Sequence, residues 1–341
     1  MIPRLQISFS LKKQRAFWFG KAYASTQAEY LLNHARSGIV MALHAALPEG
    51  GRVGVVAYNC HTVANAVVES GCTPVFVDVT EDLHMDVQHL AGLQLDVIVV
   101  TNLFGIHNDI EAIHAAQPNA IIIVDNAHGY GPPAEGDFTV YSINQGKFPA
   151  LGEGGILVVN NELYRHPILQ QYAALPSYSK MQELKLFITM LVKAWMHIPW
   201  IYGLLTRRMK AHRGAVACRE EVMLRRMAKG VSRMYQQAFP TIAEQIQQQR
   251  ANAQQIADKL LHERLAEQVW YGENAFMLIA RTKDTMTLSK YLAAHGVESA
   301  THFARSIEWA KEFGYTEGQC PVAEKLTKEL IMIPTYVRYT V

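Results

Sequence analysis

Four short runs of continuous apolar, largely β-branched residues constrain the fold of this chain most. They are GRVGVVAY (51–58), TPVFVDV (73–79), LDVIVVTN (95–102) and AIIIVDNA (120–127). Helical patterns separate them at 61–70, 86–93 and 108–116. A strand with one wet face alternates polar and apolar side chains. A strand without alternation is buried on both faces, as in a parallel sheet covered by helices. Further strands are expected at FTVYSI (138–143), GGILVVN (154–160) and AFMLIART (275–282). From about 162 to 265 the pattern is helical, with Ile, Ala and Leu at three- and four-residue spacing between Ile242 and Leu261. A helix is expected at 285–295, stopped by Gly296. Another is expected over 319–333, with Pro321 in its first turn and Pro334 ending it. The expected fold class is α/β. A large domain over 1–240, with an unusual helical region at about 162–225, precedes a smaller α+β C-terminal domain over 241–341. Ligands of such a fold bind beyond the carboxyl ends of the parallel strands.

With 341 residues, half of them hydrophobic and 18% charged, the chain has the material for a large buried core. The 32 Lys and Arg against 30 Asp and Glu leave a net charge of +2, which argues against a nucleic-acid binder. None of the four cysteines, Cys60, Cys72, Cys218 and Cys320, forms a CxxC pair. That spacing points to a reducing compartment and to no zinc or iron–sulfur site. The opening MIPRLQISFSLKKQ lacks the pattern of a secretory signal, so a cytoplasmic location is expected.

Residues 186–205, LFITMLVKAWMHIPWIYGLL, are long enough to span a bilayer. Lys193, His197 and Pro199 in the middle of the run argue against spanning. Something must nevertheless cover an apolar run of this size. The expectation is protein, either the chain's own core or a second subunit of a homodimer. The alternative is a weak contact with a membrane surface, helped by Arg207, Arg208, Lys210 and Arg213 just beyond.

Asp125 closes the strand IIIVD, and Lys147 lies in SINQGKFPALGEGG, after a later strand. Taken singly, the first reads as a helix cap and the second as a solvated loop lysine. Together they are what pyridoxal phosphate requires: a carboxylate to keep its ring nitrogen protonated and an amine to hold its aldehyde. Ser142 offers a hydroxyl to the phosphate, and HARSG (34–38) opens a helix whose N–H groups can receive one. The chain has neither GxxxxGK[ST] nor a strand followed by GxGxxG, so the nucleotide-binding motifs have no anchor.

With these residues the chain resembles the DegT/DnrJ/EryC1/StrS sugar aminotransferases, a branch of fold-type I pyridoxal-phosphate enzymes. The resemblance runs through YNCHTVANAVVESGCTPVFVDV, VDNAHG and GDFTVYSINQGKFPALGEGG to HGVESATHF and CPVAEKLTKELIMIPTY. It implies that Lys147 holds the cofactor and Asp125 partners its ring nitrogen. It places His128 at its phenolic oxygen, and Ser142 with the backbone of Ser37 and Gly38 at its phosphate. Arg36 stands where the family has a smaller residue, and it can also meet a phosphate. Cys60 falls where the family stacks an aromatic ring on the cofactor, so stacking passes to Tyr58 or His61 or is absent. Val231 falls where the family has an Asn that reaches the partner subunit.

The implied activity is a ping-pong transamination from glutamate to a nucleotide-linked 3- or 4-keto-deoxysugar, carried out by a homodimer. Relatives with His in place of the lysine are dehydratases, and Lys147 argues against that chemistry. The odd helical region leaves a non-nucleotide ketone open as substrate, and a non-catalytic regulatory or binding role on the same fold is the contrasting alternative.

Overall fold

The computed structural model describes residues 1–3, 6–7, 9–23, 28–130, 134–208, 218–301 and 303–337. Seven strands form the main sheet: β1 (Glu29–Leu32), β2 (Arg52–Val56), β3 (Thr73–Val77), β4 (Val97–Thr101), β5 (Ile121–Asn126), β6 (Phe138–Ser142) and β7 (Gly155–Val159). Their order is β1-β7-β6-β5-β4-β2-β3. The five strands β3, β2, β4, β5 and β6 run parallel, while β7 is antiparallel to β6 and β1 to β7. Every residue of β4 and β6 is buried, as runs without alternation require.

The first half adds α1 (Leu11–Trp18), α2 (Ala35–Ala46), α3 (His61–Glu69), α4 (Val87–Ala91) and α5 (Ile110–Ala116). Asp86 and Asp109 start α4 and α5 by accepting hydrogen bonds from first-turn N–H groups. Gly38 lets α2 lie against the sheet, because a Cβ there would already touch Val140 at 3.3 Å.

The region read as helical contains α6 (Arg165–Ala174), α7 (Lys180–Met196), α8 (Pro199–Arg208), α9 (Lys229–Ala238) and α10 (Ile242–His262). A capping box between Ser179 and Gln182 starts α7. Its inner face packs on the core. The Phe187 ring lies 5.2 Å from Phe9, 5.3 Å from Phe17 and 5.2 Å from Trp18. Met190 is buried against Gly152. The chain then turns by 83° into α8. There Ile201 is buried and the Tyr202 hydroxyl donates to Glu298 at 2.8 Å. Among the described residues no helix is long and apolar enough to cross a membrane. Lys210, Arg213 and the side chains of Arg207 and Arg208 lie outside the described residues.

The C-terminal part holds β8 (Gln268–Trp270), β9 (Met277–Arg281), α11 (Thr285–Ala294), α12 (Ser306–Lys311), α13 (Pro321–Glu329) and β10 (Leu330–Pro334). The three strands form an antiparallel sheet in the order β10-β9-β8. With α10 and α11 they enclose a second core around Ile256, Leu260, Leu278, Leu292 and Ile331. The helix expected over 319–333 stops at Glu329. The wholly buried LIMIP that follows is a strand paired with β9. Asp78, just past β3, accepts from the N–H groups of Val322 (3.0 Å) and Ala323 (2.8 Å) at the start of α13. Arg281 of β9 pairs with Glu81 at 2.5 Å and Glu329 at 2.8 Å.

Candidate active site

The chain reverses its order across the sheet at β2, which has β3 on one side and β4 on the other. Beyond the carboxyl ends of these parallel strands lies a cleft of about 260 Å³. Cys60 reaches it from the loop after β2, Thr101 from the end of β4, Asp125 from β5 and Ser142 from the end of β6. Lys147 enters on the loop after β6, and His128 on the loop after β5. The N-terminus of α2 closes the opposite wall with His34, Ala35 and Arg36. Six of the residues singled out in the sequence therefore share one cavity: Arg36, Cys60, Asp125, His128, Ser142 and Lys147.

Asp125 is buried, and its Oδ1 accepts from the Ala127 N–H at 3.0 Å. Burial raises its pKa from 3.8, while the Ala127 N–H, the Lys147 charge and the Thr101 hydroxyl pull it back. Burial lowers the Lys147 pKa from 10.5, opposed by the negative charge available on Cys60 and Asp125. Loss of water thus drives both groups toward their neutral forms, and each charge steadies the other.

Burial works to raise the Cys60 pKa, but hydrogen bonds from His61 and from the Thr62 hydroxyl and backbone outweigh it. The thiol comes down from 9.0 to about 7. The Thr62 hydroxyl lies 3.1 Å from Sγ. His128 packs nearly parallel to Phe104 (5.6 Å, 18°) and to Phe303 (5.9 Å, 13°), the three rings forming a cluster with Phe104 and Phe303 themselves 5.8 Å apart, and its Nδ1 accepts from the Phe104 N–H at 3.1 Å. In the neutral ring that leaves the proton on Nε2. Burial and the neighbouring Arg36 charge bring the His34 pKa down to about 4, so this imidazole is neutral at pH 7.

Four residues singled out in the sequence do not line the cleft. Tyr58 is fully buried, its ring set edge-on to Phe104 and Phe303. His61 acts on the cleft only through the Cys60 thiol, and its ring is set edge-on to Trp309, 5.0 Å between centroids. The apolar packing under the cleft takes both rings. The Ser37 hydroxyl donates to Asn33 at 2.9 Å, its N–H is bonded to the His34 carbonyl, and Gly38 faces the sheet. Helix α2 therefore meets the cleft one turn earlier than its sequence suggests. The sequence reading missed His34, Asn59, Thr62, Thr101, Asn144 and Phe303, all of which line the cleft. Asn59 and Thr101 end or follow parallel strands, and that position was the available signal. His302, in the segment HGVESATHF, lies outside the described residues.

The GEGG loop is shaped by close approach. A Cβ on Gly155 would lie 2.3 Å from the Ala35 nitrogen and the His34 carbonyl carbon, and one on Gly152 would lie 2.4 Å from Met190 Cε. Gly152 and Gly154 have φ of +104° and +134°. Between them Glu153 accepts a short hydrogen bond from the Tyr178 hydroxyl. Val231, at the position where the resemblance implies a cross-subunit Asn, is fully buried in α9, and its side chain has no polar atom.

The donor set fits pyridoxal phosphate. A buried carboxylate and a desolvated amine face one cavity, with a guanidinium (Arg36), a hydroxyl (Ser142) and a helix N-terminus for an anion. At the position where the resemblance implies a stacking aromatic ring stands Cys60, and among the described residues Phe303 is the one aromatic carbocycle that lines the cleft. Cys60 and the His128 imidazole are groups available to flank the cofactor. Among the described residues no cluster of three His, Cys, Asp or Glu could hold a metal.

The model of the DegT/DnrJ/EryC1/StrS aminotransferase family matches residues 21–341. The aminotransferase from Psychrobacter cryohalolentis superposes with a TM-score of 0.71 at 17% identity, over 96% of this chain and 92% of that one. The sugar aminotransferase CalS13 from Micromonospora echinospora gives 0.71 at 17% identity, over 98% and 95%. The E. coli GDP-4-keto-6-deoxy-D-mannose-3-dehydratase, solved with hydrated pyridoxal phosphate, gives 0.69 at 16% identity, over 99% and 96%.

Proposed function

The chain belongs to the DegT/DnrJ/EryC1/StrS aminotransferase family, and on that premise we propose that it moves an amino group from glutamate to a keto sugar carried by a nucleotide. It is a pyridoxal-phosphate-dependent aminotransferase of the fold-type I architecture. The observation that carries the proposal is the cleft itself, where Asp125 and Lys147, from different strand ends, face each other beside Arg36, His128 and Ser142. A structural neighbour whose name specifies a GDP-linked keto sugar supports the nucleotide linkage.

When bound, the cofactor supplies an aldehyde for the amine and a ring that absorbs charge developing at the donor's α-carbon. Asp125 holds the proton on the ring nitrogen, and its burial keeps that contact free of competing water. Lys147 is the attachment point. With the cofactor bound, the Lys147 amine would also be the group placed to take up and return a proton in the cleft, and burial, which lowers its pKa, favours its neutral form. His128 offers its Nε2 proton to an oxygen on the cofactor. Arg36, Ser142 and the start of α2 receive the phosphate. A homodimer is part of the proposal, with contacts other than one from position 231 completing each site.

Borohydride reduction of the cofactor-loaded protein, followed by peptide mapping, tests the assignment. Label on the peptide containing Lys147, together with a glutamate-dependent change in the cofactor's absorbance, is the expected result. Label on another lysine overturns the site. A spectrum indifferent to glutamate overturns the donor.

A further inference from the structure

We propose that α1, α7 and α8 form a docking face for an anionic phospholipid surface. The outer side of α7 presents Met181, Leu184, Ile188, Val192 and Trp195 at helical spacing, all exposed. The stripe continues past the bend with Ile198, Trp200 and Leu204. Trp195 is 60% exposed and Trp200 72%, so neither indole is covered by the chain's own core. Helix α1 joins this face through Trp18, whose ring meets Phe187, and it leaves Leu11 and Phe19 exposed beside it.

Charge selects the occupant. Residues 1–28 and 184–219 together hold twelve of the 32 Lys and Arg and none of the 30 Asp and Glu. The rest of the chain is strongly acidic in balance, so the +2 total hides a segregated distribution. Lys12 and Arg15 on α1 and Lys185 and Lys193 on α7 are exposed beside the apolar stripe. Arg207, Arg208, Lys210 and Arg213 follow it in sequence. Isologous pairing of this face with a second copy would bring Lys12, Arg15, Lys185 and Lys193 of each copy together, like charge against like. An anionic leaflet meets the same face with opposite charge, takes up the apolar stripe and seats the indoles at headgroup depth.

The geometry limits the contact to the surface. The inner side of α7 is committed to Phe9, Phe17 and Gly152, and α8 is committed through Ile201 and Tyr202. The pair can lie on a leaflet but has no free side with which to cross it.

The test is co-sedimentation of the cofactor-loaded protein with vesicles of equal parts phosphatidylcholine and phosphatidylglycerol, against vesicles of phosphatidylcholine alone. Binding to the mixed vesicles only, weakening as salt is raised, is expected. Trp195→Ser with Trp200→Ser should lower the bound fraction by about tenfold or more. Both positions are exposed and neither lines the cleft, so transamination of a water-soluble substrate should persist. That readout is independent of the vesicle assay, so failure of one reading leaves the other standing. Wild-type protein that ignores the mixed vesicles, or binding unchanged in the double variant, overturns the proposal. So does a dimer that falls apart in the double variant, because the face would then belong to a second copy.

Discussion

Asp125 occupies a site where an ionised carboxylate is costly, and the hydrogen bond from Ala127 and the charge of Lys147 are what keep it there. Substitution of Asp125 by Asn preserves shape and most of the hydrogen bonding but removes the charge that holds a proton on the ring nitrogen. A folded protein that turns over on the order of 10³ slower, about 4 kcal/mol in transition-state stabilisation, is expected from single-turnover kinetics. Cys60 makes a separate prediction. The thiolate is the form that reacts with iodoacetamide, so alkylation of cofactor-free protein should rise with pH through about 7. Cys72, Cys218 and Cys320 all have thiols pushed up by burial, so they should lag behind Cys60 in a mass-spectrometric time course at neutral pH. Equal rates at all four would remove the special character of Cys60.

Among the elements, β7 and α2 are locked together at Gly155. A methyl group there would collide with backbone, which has no rotamer to change. Gly155→Ala should therefore destabilise the protein by roughly 1–3 kcal/mol or more and loosen the start of α2 at the cleft. Urea denaturation and cofactor affinity together check this; wild-type values in both would show that the contact yields. The buried strands β2, β4, β5 and β6 and the helices between them were legible in the sequence, because continuous β-branched runs leave few options. The strands β1 and β8 were not. Each is three or four residues long, and pairing with a distant strand makes it a strand at all. In LIMIP every residue is buried, so periodicity could not separate strand from helix end. At the site, Lys147 and Asp125 could be found because chemistry restricts their residue types. Tyr58 and His61 were misplaced because one helix start decides which side chains face the cleft and which face the core. Thr101 and Asn144 carry no sequence signal beyond their places at or after strand ends.

For the whole molecule, the near-neutral total charge predicts little about behaviour, because the charges are sorted by segment. A protein of mixed surface charge at this total would pass through both kinds of ion exchanger at low salt. This one should be held by cation and anion resins alike at a single neutral pH, each resin meeting different segments of the chain. Flow-through on the cation exchanger would show that the acid-free segments do not act together. The packing of Met190 on Gly152 has a further consequence. It joins the outer helix α7 to the loop that follows Lys147, so the two share any change in their arrangement. Thermodynamic linkage then fixes a symmetry: whatever factor a ligand of the outer helix applies to cofactor affinity, the cofactor applies to that ligand in return.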